Sequence, residues 1–152
     1  MLAFDRLARA MDAWAAANPQ VRVEIQIGKG SYEPRHARWV RKLALPDYQA
    51  RVQACALFVA HCGMGSIISA IEAGKPILML PRSQAMGEHN TDHQLATAKH
   101  IGNRPGLHVA ADADDLHARA SALLADTGAA PAPISRFADP AFTNRIRAFI
   151  ES

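Results

Sequence analysis

A histidine, two glycines and a serine fall within six residues, His61-Cys62-Gly63-Met64-Gly65-Ser66. The apolar run Ala56 to Ala60 precedes them, and Ile67, Ile68 and Ile71 follow at helical spacing. A strand, a tight glycine turn and a helix in that order make an anion site. The first-turn N–H groups of a helix lack partners, and its dipole favours negative charge there. Glycines let a phosphate approach the backbone closely, and Ser66 adds a hydroxyl. Gly63 and Gly65 would serve equally well as a plain tight connection in an α/β sheet, and a short glycine motif does not separate the two readings.

Two further stretches carry polar chemistry. Gly28-Lys29-Gly30-Ser31 offers N–H groups and a cation to a ligand, or is a plain exit turn. The segment from Arg82 to Gln94 holds Glu88, His89, Asp92, His93 and Gln94. His89 and His93 stand four apart, a ligand spacing on a helix. Their order is Glu-His-x-x-x-His rather than His-Glu-x-x-His, and no third ligand is evident, so no metal is expected. Ser66 lacks the Gly-x-Ser-x-Gly elbow of a hydrolase. Arg35, His36, Arg38, Arg41 and Lys42 surround Trp39 and Val40. That basic cluster suits acidic lipid head groups or a diphosphate, and equally a solvated face.

The elements that position these residues alternate. Phe4, Leu7, Met11 and Trp14 stripe a helix that stops near Asn18-Pro19. Val21, Val23, Ile25 and Ile27 alternate with polar residues as a strand. A short strand through Val40 and Leu43 and a helix opened by Pro46-Asp47 lead to the central strand. Beyond the glycine turn, Gly74-Lys75-Pro76 ends a helix and Ile77 to Leu80 form a buried strand before Pro81-Arg82. A helix to about His100, a strand from Gly106 to Ala110 and a helix from Asp112 to Leu124 follow. Strands alternating with helices predict an α/β, Rossmann-like parallel sheet with helices on both faces. Residues 1–152 read as one domain, with a linker over 129–140 and a terminal helix over 141–151 striped by Phe142, Ile146, Phe149 and Ile150. In an open parallel sheet the three polar stretches converge beyond the carboxyl ends of the strands.

Composition narrows the classes. The chain is 49% hydrophobic and 20% charged, as ordinary globular chains are. A net charge of +3 suits anionic small molecules or membrane surfaces but is too weak to argue for nucleic acid. No apolar run spans a bilayer, no signal-peptide layout is present, and Cys55 and Cys62 have neither metal spacing nor a disulfide framework. A reducing cytoplasm is the expected compartment.

His61-Cys62-Gly63-Met64-Gly65-Ser66, followed by Gly74-Lys75-Pro76 and Pro81, resembles the nucleotide-sugar box of GT-B glycosyltransferases. Gln26 to Gly30, Pro81-Arg82, Gly87-Glu88-His89 and Asp92-His93-Gln94-Leu95 add to this. Together they resemble the family 28 C-terminal domain, most of all the soluble catalytic subunits of two-component bacterial exopolysaccharide enzymes. The resemblance implies the C-terminal half of a GT-B fold and a UDP-sugar donor, with no cofactor besides. His61 and Gly63 to Ser66 would hold the diphosphate, with His61 stabilising the leaving group. Asp92 and Gln94 would bind the donor sugar with His89 nearby, and backbone around Leu43 to Leu45 would receive uracil.

The implied activity is inverting transfer of a hexosyl or N-acetylhexosaminyl group to a lipid-linked or polysaccharide acceptor. The alternatives are a catalytically inert nucleotide-sugar-binding subunit and a stand-alone transferase with a small acceptor. A membrane-anchored partner would supply the acceptor wall and hold the chain at the inner face of the membrane. The terminal helix would dock that partner, or pack on its own domain. Two departures stand out. Relatives place a ribose-gripping glutamate where Ser69 stands, with Glu72 one turn later as a substitute, or else ribose recognition differs. Relatives also begin with a buried strand ahead of the Phe4-Asp5-Arg6-Leu7 motif, which here follows Met1-Leu2-Ala3 directly. The slot of that first strand is expected to be filled by rearrangement or by another chain, a second copy included.

Overall fold

The computed structural model describes residues 2–101 and 104–126. Helix α1 (Asp5–Ala17) leads to strand β1 (Glu24–Gln26), strand β2 (Arg38–Val40) and helix α2 (Leu45–Ala54). Strand β3 (Phe58–His61), helix α3 (Met64–Ala73) and strand β4 (Ile77–Leu80) follow. Helix α4 (His93–Ile101), strand β5 (Leu107–Val109) and helix α5 (Ala113–Ala125) complete the described part. The expected linker over 129–140 and terminal helix over 141–151 lie outside it.

Local chemistry sets the helix ends. The Asn18 side-chain amide donates to Trp14 O at 2.8 Å where Pro19 stops α1. Gly74 adopts φ 63° and its N–H closes the end of α3 on Ala70 O and Ile71 O. Asp112 accepts from Asp115 N at 2.9 Å and caps α5.

Every strand pair is parallel. β3, β4 and β5 form one sheet in that order, with Phe58 opposite Ile77 and Ile77 opposite Leu107. The alternation along β4 builds a core on each side of it. Leu78 and Leu80 meet Met11 and Trp14 of α1 and Leu116 and Ala120 of α5, while Ile77 and Met79 meet Ile67 and Ala70 of α3. The Trp14 indole N–H, donating to Ser121 Oγ at 3.0 Å, ties α1 to α5. Among the described residues no helix is long and apolar enough to cross a membrane.

β1 and β2 form a separate two-stranded sheet. The ladder is shorter than the apolar alternation from Val21 to Ile27 suggests, because only Glu24 to Gln26 have partners on β2. The second strand also lies earlier than expected, at Arg38 to Val40, and Leu43 N instead donates to the Gln26 side chain at 3.1 Å. Val23 and Ile25 on one side, and Leu57 and Val59 on the other, pack against the same α1–α5 core. β1 and β3 therefore flank a break in what is otherwise one parallel layer. The first turn of α1 bridges this break. Asp5 accepts from the Ser31 hydroxyl at 2.6 Å beyond β1, and Arg6 donates to Pro81 O at 2.7 Å beyond β4.

Candidate functional site

The three polar stretches meet at the carboxyl edge, where the loops after β1, β3 and β4 emerge. β3 ends at His61, Gly63 is the extended N-cap of α3, and α3 starts at Met64. Ser66 N and Ile67 N turn back to Gly63 O at 3.0 and 3.2 Å. The N–H groups of Met64 and Gly65 have no acceptor among the described residues, so they are the open donors of the turn. Met64 is exposed, and a Cβ built on Gly65 would meet nothing within 4 Å. The turn is thus open on its outer side.

Beneath the turn, the His61 ring packs where a side chain on Gly63 would go, Nε2 lying 2.5 Å from that Cβ position. A side chain at 63 would force this imidazole to move. The Ser66 hydroxyl is buried 3.5 Å from His61 Nδ1. Burial, then the charge of Arg82 and His89, pushes the His61 pKa below its usual range, so the ring is neutral near pH 7.

Arg82 stands one residue past Pro81 at the end of β4 and is 6% exposed. One terminal nitrogen donates to Leu2 O at 3.0 Å, and the guanidinium lies 4.9 Å over the Phe4 ring. Its Nε is a buried side-chain nitrogen without a hydrogen-bond partner. Burial lowers its pKa, with Glu88 opposing, but a guanidinium keeps its charge. A buried cation whose charge reaches the His61 imidazole, together with two open N–H groups on the turn after it, suits an anionic ligand.

The remaining residues divide between site and scaffold. Glu88 closes the loop after β4: its carboxylate takes both nitrogens of the Arg6 fork at 2.8 and 2.9 Å and Ser83 N at 3.0 Å. Burial alone would raise its pKa. The bonds from Arg6 and Ser83 and the charges of Arg6 and Arg82 outweigh that and hold it low. Gln94 is buried, its carbonyl accepting from Arg82 N at 3.2 Å. Asp92 accepts from Gln84 N at 2.9 Å and is otherwise exposed. His89 Nδ1 lies 3.3 Å from both Thr91 N and Thr91 Oγ1.

Gly28 N donates to Arg41 O and Gly30 N to Ile27 O, both at 2.9 Å, so neither N–H faces a ligand. The Ser69 hydroxyl turns back to Gly65 O at 2.8 Å, while Glu72 is exposed. His93 opens α4, so His89 precedes the helix and the two do not share a helical face. No group of three or more His, Cys, Asp or Glu side chains placed to hold a metal exists among the described residues.

Sequence reasoning missed four residues that build this edge and the loop leading to β2. Asp5 and Arg6 fasten it, and Phe4 lies under the guanidiniums of Arg6 at 5.4 Å and Arg82 at 4.9 Å. The Phe4-Asp5-Arg6-Leu7 motif was the available signal. Asp12, 1% exposed, is the other: it accepts from Tyr32 Oη, Arg35 N, His36 N and Ala37 N and shapes the loop leading to β2.

Known proteins place the fold. The chain is 27% identical over 88 residues to the UDP-N-acetylglucosamine--N-acetylmuramyl-(pentapeptide) pyrophosphoryl-undecaprenol N-acetylglucosamine transferase of Prochlorococcus marinus (strain MIT 9312). That match takes in 55% of this chain and 24% of the relative, so the chain matches about a quarter of the relative's length. The crystal structure of the glycotransferase of kitacinnamycin superposes with a TM-score of 0.59 at 19% identity, over 95% of this chain and 34% of that one. The likeness shows the α/β fold of a GT-B C-terminal half. The model of the glycosyltransferase family 28 C-terminal domain matches residues 2–135, and the chain belongs to that family.

Proposed function

We propose that this domain is the donor-binding half of an inverting, UDP-sugar-dependent glycosyltransferase. The observation that carries the reading is the convergence of the open Met64 and Gly65 N–H groups with buried Arg82, whose Nε has no partner, and neutral His61. The diphosphate sits on the start of α3, where the helix dipole and N–H groups meet its charge. Ser66 and His61 lie at the base of that turn. Asp92, His89, His93 and Gln94 edge the donor sugar, and Glu88 holds their loop. Gly28 and Gly30 act by shaping the loop beyond β1.

In the transfer, an acceptor hydroxyl oxygen forms a bond to the anomeric carbon from the face opposite the diphosphate. The bond from that carbon to the β-phosphate oxygen breaks, and UDP leaves with the electron pair. Arg82 and the α3 donors stabilise the growing negative charge. The hydroxyl proton passes to a base on the facing wall. The transferred group is a hexosyl or N-acetylhexosaminyl unit, and the acceptor is a lipid-linked glycan or polysaccharide of the exopolysaccharide kind. The relative's printed name, which pairs UDP-N-acetylglucosamine with a pyrophosphoryl-undecaprenol acceptor, supports a lipid-linked acceptor and says nothing of a polysaccharide one.

The acceptor wall comes from a partner. Leu2, Leu45, Met64, Ile68, Met86 and Leu95 are the exposed large hydrophobics among the described residues. Leu45, Met64 and Leu95 lie in the first turns of α2, α3 and α4, Leu2 and Met86 in loops, and Ile68 one turn into α3. A membrane-anchored acceptor-binding subunit fits these exposed residues and would hold the chain on the cytoplasmic face of the membrane.

One observation favours an inert nucleotide-sugar-binding subunit instead: Ser69 is bonded to its own helix and Glu72 points to solvent, so no ribose grip is preformed. Calorimetry with UDP, UDP-N-acetylglucosamine and UDP-glucose tests the donor site, with saturable binding of UDP and of one UDP-sugar expected. Failure of all three to bind would overturn it. Binding without sugar transfer in the presence of the partner would favour the inert reading.

A further inference from the structure

A cleft of about 500 Å³ opens between the middle of α1 and the loop joining β1 to β2, with Arg9, Tyr32, Glu33, Arg35 and Trp39 on its walls. None of these residues belongs to the turn after β3 or to the loop after β4. Trp39 lies opposite Ile25 in the parallel ladder, so it shares the face that Ile25 turns to the α1–α5 core. The cleft is built around one buried carboxylate. Asp12 accepts from Tyr32 Oη at 2.6 Å and from Arg35 N, His36 N and Ala37 N at 2.9, 2.8 and 2.9 Å. Those four bonds engage both its oxygens and fix the loop before any ligand arrives. Tyr32 is thereby held against Arg9, whose guanidinium lies 4.2 Å from the ring centroid. The hydrogen bond to Asp12, burial and the Asp12 charge raise the Tyr32 pKa, and the charges of Arg9 and Arg35 both oppose them. Both cations therefore converge on one phenol, the first from a helix and the second from a loop.

The charge left over in the cleft is positive. Glu33, the acid on its wall, is paired with Arg41 at 2.9 Å, and Arg41 also lies 5.6 Å from the Trp39 ring. Asp5, one turn before Arg9, has its pKa lowered chiefly by the Ser31 hydroxyl and least by Arg9. Arg9 and Arg35 are exposed and stand in no salt bridge among the described residues. A solvated arginine samples many rotamers, and holding it for a ligand costs entropy. Arg9 is already stacked and the Arg35 backbone already pinned, so much of that cost is met by the fold.

We infer that this cleft is a second anion site, separate from the donor turn, that takes the phosphate of an organic phosphate ester. Two guanidinium forks carried on different elements suit a tetrahedral group with oxygens on several sides, which a planar carboxylate does not offer. Tyr32 and Trp39 give the organic part of the ester an amphipathic wall. Arg38 on β2 and Lys42 just beyond it add to the positive field, which reaches a phosphate in solution or one carried on a lipid head group.

The test uses the full chain without nucleotide. Glycerol 3-phosphate is the soluble probe, and phosphatidylcholine vesicles containing phosphatidylglycerol are the lipid probe. In NMR titrations with the soluble probe, the Nε–H signals of Arg9 and Arg35 should shift together with the Tyr32 amide on one saturable curve. Arg9→Gln and Arg35→Gln should each weaken binding about tenfold. Arg104→Gln removes the same charge just before β5, at the other end of the layer from β2, and should leave binding unchanged. Binding of glycerol 3-phosphate without vesicle cosedimentation would assign the site to a soluble ester. Cosedimentation that falls in the two cleft variants but not in Arg104→Gln would assign it to a lipid head group. Failure of both probes would overturn the proposal. Equal weakening in all three variants would show diffuse charge attraction alone and overturn it too. So would displacement of the probe by UDP, which would merge the cleft with the nucleotide site.

Discussion

Arg6 and Glu88, 82 residues apart, form a two-pronged ion pair at 2.8 and 2.9 Å that fastens the first turn of α1 to the loop after β4. Both side chains are largely buried, and the same carboxylate holds Ser83 N, so the pair shapes the edge on which Asp92 and Gln94 are carried. Glu88→Gln should lower unfolding free energy by about 1–3 kcal/mol, measured by urea denaturation. Arg6→Ala should cost a similar amount, and the double variant less than the sum. Strict additivity would show that the two act separately.

Asp12 should make the fold acid-sensitive in a narrow window. Burial would raise its pKa, but hydrogen bonds from Arg35 N, Tyr32 Oη, His36 N and Ala37 N lower it to about 2. The folded value lies below the unfolded one, so the contribution is complete above about pH 4 and is lost as pH falls through about 2. Its size is about 2 kcal/mol from the shift. Asp12→Asn should flatten the stability profile over that window, as read by urea melts at stepped pH. An unchanged slope would contradict the geometry around this carboxylate.

Gly65→Val separates the site from the scaffold. A side chain there meets nothing within 4 Å, so the variant should keep its circular dichroism spectrum, with its melting temperature lowered only by the helix propensity of valine. Its side chain would stand over the open N–H groups of the turn and should abolish UDP binding. Unchanged UDP affinity would place the diphosphate elsewhere.

Arg82→Met should move stability and binding in opposite directions. The buried guanidinium has an unpartnered Nε, so replacing it with an apolar side chain of similar length should leave stability equal or higher by about 1 kcal/mol. UDP affinity should fall about tenfold or more with the loss of the charge-assisted contact. A variant that is less stable yet binds UDP normally would make Arg82 a structural residue only.

The alternation of apolar strands with striped helices, the glycine turn after β3 and the arrest of α1 at Asn18-Pro19 were all legible in the residues, because each follows from local periodicity or backbone chemistry. So was the convergence of three polar stretches, since parallel order alone brings their loops to one edge. Strand limits were less legible: pairing decides them, and β2 offers partners only to Glu24 through Gln26. The roles within the site were decided by the tertiary structure. Glu88 and His89 look alike as polar loop residues, yet only Glu88 faces Arg6, and Gly30 looks like a ligand glycine until Ile27 O takes its N–H. The spare donor on Arg82 exists because burial removes water from a guanidinium whose neighbours satisfy only part of it. Long-range approach and desolvation produce these roles, and a linear chain contains neither until it folds.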